Sequence, residues 1–175
     1  MDTNTTQQES MMNAQPQKEH EWLHKFVGEW TFEGEATMAP DQPPEKFKGV
    51  ENVRAIGGLW IVAEGKGECP GGMGEATTLL SIGFDTQKKR YVGTFVASMM
   101  TYLWVYDNGE LDAAEKVLSL YADGPDFKVE GKMAKYKDVT EFRSDDHRVL
   151  TSYLLGDDGQ WQCIMTAHYR RRRSI

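Results

Sequence analysis

Trp161-Gln162-Cys163-Ile164-Met165-Thr166-Ala167-His168-Tyr169 places Trp161, Cys163, Met165, Ala167 and Tyr169 on one face and Gln162, Thr166 and His168 on the other. The repeat is two residues, so successive side chains leave a pleated strand on opposite sides. Working back from this stretch, segments of the same kind recur through the last two-thirds of the chain. Each ends at a turn signal, and no long helix separates them. Such a series predicts an antiparallel barrel or sandwich.

The predicted strands run roughly over residues 29–38, 47–56, 59–67, 75–84, 90–97, 101–106, 117–122, 133–143, 148–155 and 160–171. Pro40, Pro43 and Pro44 break the ladder after the first, because proline lacks the N–H donor. Gly57-Gly58 and Asn108-Gly109 read as hairpin turns. About ten strands with short links form an up-and-down meander. A small domain of this kind hides its edges most easily by closing into a barrel. The expected fold is therefore all-β: one antiparallel barrel of about ten strands with a short N-terminal helix.

That helix is expected over residues 17–27. Trp22, Leu23, Phe26 and Val27 share one side, Glu21 and Lys25 lie opposite, and Gly28 stops it. Residues 1–16 are mostly Thr, Gln, Asn, Ser and Met, too polar to offset their ordering entropy. They are expected to form a disordered tail, leaving residues 17–175 as a single barrel domain.

The chain has 175 residues, of which 39% are hydrophobic, enough for one core of ordinary size. Its net charge of −7 argues against a phosphate-backbone partner. The basic run Arg170–Arg173 reads as a strand end with a solvated tail. No apolar leader and no run of about 18 apolar residues is present, so no membrane association is expected. The two cysteines, Cys69 and Cys163, lack metal-site spacing. A cytoplasmic, reducing setting with free thiols is expected.

Three groups of blocks carry a likeness to known proteins: His20-Glu21-Trp22-Leu23-His24-Lys25-Phe26-Val27-Gly28-Glu29-Trp30; Gly57-Gly58-Leu59-Trp60; and, near the end, Asp145-Asp146-His147-Arg148, Leu154-Leu155-Gly156-Asp157-Asp158-Gly159 and Met165-Thr166-Ala167-His168-Tyr169. Together they resemble the DUF1579 family, a bacterial family of unknown function. A short helix, Gly-x-Trp entering the first strand and arginines ending the last are similar to the calycin superfamily of lipocalin-like barrels. That likeness implies a structural pair at the closed end, Trp30 with Arg171 or Arg170, in which a guanidinium lies on the indole face.

Three constellations could carry function. His20-Glu21-x-x-His24 has the spacing of two zinc-binding imidazoles and a general base on one helix face, which would make a zinc-dependent hydrolase. A plain amphipathic helix with two flanking histidines fits the same residues. His168 would be a haem ligand by likeness to the nitrobindins among the calycins, although its strand parity puts it on the polar face. The third is a set of aromatic and thioether side chains: Trp30, Met99, Met100, Trp104, Tyr153 and Tyr169. Tyrosine and tryptophan bring a polar handle into an apolar space, and methionine adapts to irregular shapes. The reading favoured is non-catalytic binding of a small, mostly apolar ligand inside the barrel, with these six lining or sealing the cavity. No cofactor is expected under it; zinc and haem belong to the alternatives. A barrel completely filled by its own side chains would leave an interaction domain instead.

Overall fold

Ten segments in which buried and exposed residues alternate become strands, and the computed structural model, which describes residues 3–173, closes them into one antiparallel barrel. The strands are β1 (Gly28–Ala36), β2 (Glu45–Ile56), β3 (Trp60–Glu68), β4 (Glu75–Asp85), β5 (Arg90–Ala97), β6 (Trp104–Leu111), β7 (Val117–Pro125), β8 (Met133–Ser144), β9 (His147–Leu155) and β10 (Trp161–Arg171). Each pairs with its neighbours in sequence. β1 also pairs with β10, from Trp30 opposite Arg171 to Ala36 opposite Met165. A closed sheet leaves no edge strand unpaired.

Two helices precede the barrel, α1 (Thr3–Met12) and α2 (Lys18–Leu23). Met11 and Met12 of α1 are exposed, and the helix has no acidic first turn and no basic last turn. The segment expected as one helix over 17–27 is α2 followed by a 3-10 turn at His24–Phe26. Val27 is already extended, and Gly28 opens β1 at φ 134° with the Arg171 guanidinium packed against it.

This helical segment plugs one end of the tube. Trp22 and Phe26 meet Phe142 edge to face at 5.7 and 4.9 Å between ring centres. Trp22 donates from Nε1 to the Glu115 carbonyl, and Tyr91 donates from Oη to that of Glu19. Trp30 is fully buried and lies between two guanidinium groups, Arg171 at 4.2 Å and Arg148 at 4.7 Å from its ring centre. Arg171 donates to the carbonyls of Val27, Lys25 and Asp145 at 2.6, 2.9 and 3.1 Å. Arg171 is thus the basic partner expected at the closed end; Arg170 is exposed on the outer face.

Two local expectations are corrected. Asn108-Gly109 is not a turn but lies inside β6, where the pairing with β5 slips between Tyr91 and Gly93. The turn comes later, where Asp112 accepts the backbone N–H groups of Lys116 and Val117 on one carboxylate oxygen. In β10 a second slip falls between Cys163 and Met165. An inserted residue shifts strand parity, so Met165, Ala167 and Tyr169 face inward while Trp161 and Cys163 face outward.

One seam of the barrel is loosely paired. β7 is in register with β8 along its whole length, from Val117 to Pro125. Against β6 its register covers only Leu118 and Ser119, near the plugged end. Towards the other end, the Tyr102 hydroxyl donates to the Asp123 carbonyl and the Trp104 ring lies on Gly124, where a Cβ would overlap it. Among the described residues, no helix is long and apolar enough to cross a membrane.

Candidate functional site

The inner wall changes character along its length. Next to the plug it is tightly filled: Trp30, Val53, Ile61, Ile82, Tyr91 and Leu118 are each at most 2% exposed. Further along, Phe32, Leu80, Phe95, Asp138, Thr140, Leu150, Ser152 and Met165 also face inward but are only half-buried. The barrel is thus closed at its base and less tightly packed above it, a pouch in outline. Among the described residues, nothing like α2 covers the opposite end, where Met73, Met99, Met100 and Leu103 are exposed on the loops.

Polar groups stand in this pouch because strand parity puts them there. Asp138 alternates with Tyr136 and Phe142, both buried, and sits opposite Ser152 of β9. Its two carboxylate oxygens accept one hydroxyl each, Tyr106 on Oδ2 and Ser152 on Oδ1, both at 2.5 Å. Burial pushes the Asp138 carboxyl above the usual carboxylate range, and the two hydroxyl donors only partly oppose this. Burial and the neighbouring Asp138 charge push the Tyr106 phenol well above its ordinary value.

A second polar pair lies nearer the plug. Arg148 and Glu51, with side chains 4% and 10% exposed, form an ion pair. The guanidinium is stacked at 3.9 Å from the Tyr169 ring centre as well as on Trp30. Burial, then the Glu51 charge, raise the Tyr169 phenol. Two buried donors among the described residues lack an acceptor: Nε of Arg148 and Nε1 of Trp104. Buried donors left unpaired are costly.

Of the six side chains expected around the ligand, Trp30 forms the base of the pouch, and Tyr169 and Trp104 stand on its wall. Trp104 is held by Tyr102 and Tyr136, edge to face at 5.2 and 4.8 Å. Met99 and Met100 lie on the loop between β5 and β6 at the uncovered end, 50% and 40% exposed. Tyr153 is elsewhere. It pairs with Lys137 and Cys163 on the outer face, with the Lys137 ammonium 4.9 Å from its ring centre. The slip in β10 does not change this, since β8 and β9 keep regular alternation through Tyr153.

Of the other two constellations, His20 and His168 are hydrogen-bonded within the protein. His20 is buried; its Nδ1 accepts from the Gln17 backbone N–H at 2.9 Å, and Nε2 lies 3.1 Å from the Phe84 carbonyl. His24 and Glu21 are exposed, so one imidazole of the pair is buried and the other lies in solvent. His168 faces outward, away from the pouch, with Nδ1 3.0 Å from Nε2 of His147. Among the described residues, no group of three or more His, Cys, Asp or Glu side chains is placed to hold a metal. An open groove of about 780 Å³ lies outside the barrel, between α2 and the turns that follow β4 and β6.

The model of the DUF1579 family, described as a protein of unknown function, matches residues 15–171. The chain belongs to the DUF1579 family. No curated protein matches this DUF1579 chain. Among solved structures it is similar to Rv2717c from M. tuberculosis, at 10% identity and a TM-score of 0.58, covering 91% of this chain and 100% of that one. It is also similar to the S-type phycobiliprotein lyase CPES from Guillardia theta, at 13% identity and a TM-score of 0.57, with the same coverage. At such identities the likeness is one of fold, and it agrees with the calycin-like barrel expected of this DUF1579 member.

Asp138, Ser152, Arg148 and Glu51 were not picked out by the sequence reading. Parity could have found them. Glu51 is in step with Phe47 and Val53, Asp138 with Tyr136 and Phe142, and Arg148 and Ser152 with Leu150 and Leu154. A polar residue in step with apolar residues on both sides marks the inner wall.

Proposed function

We propose that this protein binds a small, largely apolar molecule in the upper half of the barrel. The observation that carries the reading is the inward face that keeps accessible surface above a sealed base, with Asp138, Ser152 and Tyr106 grouped there. Concave, mostly apolar spaces with a few convergent polar groups are what small-molecule sites are made of. Phe32, Phe95, Leu150 and Met165 supply the apolar wall. Burial of the ligand's apolar surface drives binding at about 25 cal/mol per Å². Met99 and Met100 at the uncovered end form an adaptable lip over which the ligand passes. The phycobiliprotein lyase likeness lends no substrate to this chain.

A reducing, cytoplasmic setting is part of the proposal. Two free cysteines support it, Cys69 buried and Cys163 exposed.

The test is a fluorescence titration with a panel of lipophilic probes, on the protein and on Trp104→Phe. The expected result is a saturable change in tryptophan emission that is largely lost in the variant, since Trp104 borders the pouch and Trp30 is sealed beneath it. No saturable change with any probe sinks the reading.

A further inference from the structure

We propose that the molecule held in the barrel is an organic cation, a small aromatic or apolar amine whose ammonium group rests against the Asp138 carboxylate. This rests on the reading of the barrel as a ligand site and adds the charge of its occupant.

The first argument is charge balance. The polar groups inside the tube include two carboxyl groups and one guanidinium. Arg148 and Glu51 are paired with each other. Asp138 is left with two neutral hydroxyl partners, and among the described residues no cation is in ion-pair contact with it. No positive charge lowers its pKa either; only the two hydroxyl groups do. An ionised carboxylate buried without a counter-charge is strongly disfavoured. A cation arriving beside Asp138 would supply the counter-charge that lets this raised carboxyl ionise, and an anionic ligand would oppose it.

The second argument is geometry. A carboxylate offers about four lone-pair directions. Tyr106 and Ser152 take one on each oxygen, and Asp138 keeps accessible surface towards the hollow part of the tube. Acceptor capacity therefore faces the space where a ligand lies, while the hydroxyl groups hold the carboxylate in place. The third argument is the wall. Tyr106, Phe95 and Trp104 are aromatic, and aromatic faces attract ammonium groups where an aliphatic wall does not.

The test uses three probes with one naphthalene body: naphthylmethylamine, naphthylmethanol and naphthoate, titrated calorimetrically into the full chain at pH 7. The amine is expected to bind about tenfold more tightly than the alcohol, the worth of one desolvated cation contact, and the carboxylate most weakly. In Asp138→Asn the amine falls to the affinity of the alcohol, while the alcohol changes little. Should that variant not fold, Asp138→Ser carries the same expectation. Equal or tighter binding of the alcohol in the unaltered protein overturns the inference and leaves the ligand site standing, as does an amine preference that survives loss of the carboxylate. Failure of all three probes to bind takes down the ligand site itself, and this inference with it.

Discussion

At the scale of single residues, the inside of this barrel is a balance between burial and charge. Arg148 is held on two aromatic faces and by Glu51. Removing one partner strands the other in a medium that solvates it poorly, which typically costs about 3–5 kcal/mol, whereas replacing both by apolar side chains is often nearly neutral. Arg148→Met is therefore expected to lower the unfolding free energy by about that amount in chemical denaturation. Adding Glu51→Leu is expected to restore most of it. A double variant as unstable as the single one would mean that the aromatic stack, not the ion pair, is what Arg148 provides. Asp138 behaves oppositely with pH. Its folded pKa lies above the unfolded value near 3.9. Between the two the native state holds the extra proton, so Asp138 makes stability fall as pH rises through that window. Asp138→Asn lacks this decline. The stability of the variant relative to the parent, from urea midpoints between pH 4 and 8, is expected to grow with pH; a difference that shrinks would contradict the assignment.

At the scale of elements, the strands were legible because turn signals and period-two alternation agree along most of the chain. The deviations were not, since a bulge leaves no compositional mark. Asn108-Gly109 carries the strongest short hairpin signal yet sits mid-strand, because pairing of Tyr91 with Gly109 and Gly93 with Tyr106 overrides local turn preference. The slip at Cys163 likewise reversed the faces of the last strand below Met165. The inner polar residues were hidden for a different reason: Asp138 and Glu51 look like ordinary outer-face charges until their parity is tied to a known inner neighbour. Two elements should stand apart in motion. α1 exposes Met11 and Met12, and ten residues are too few for a helix to hold unaided in water; this carries forward the proposal that the N-terminal segment is a mobile tail. The loose seam between β6 and β7 is the second. Hydrogen exchange is expected to be immediate in α1. It is expected to be faster for the β7 amides directed at β6 near Asp123 than for those directed at β8. Uniform protection across β7 would refute the seam.

At the scale of the molecule, the meander order makes every strand ladder but one a join between neighbours in sequence. The exception is the ladder that joins β1 to β10, where Trp30 meets Arg171 and Phe32 meets Tyr169. Trp30 also needs its two guanidinium neighbours, both from the far end of the sequence. The hollow above it is consequently a late property of the chain. While the polypeptide is being made, β2 through β9 can hairpin in turn, each on its predecessor, but they form a curling ribbon without an inside. The long-range join comes last, because its loop-closure entropy is the largest. Until β10 has emerged and docked, the charged pair and the lone carboxyl face solvent, so a nascent chain is expected to have no affinity for the proposed ligand and to acquire it in a single step at closure.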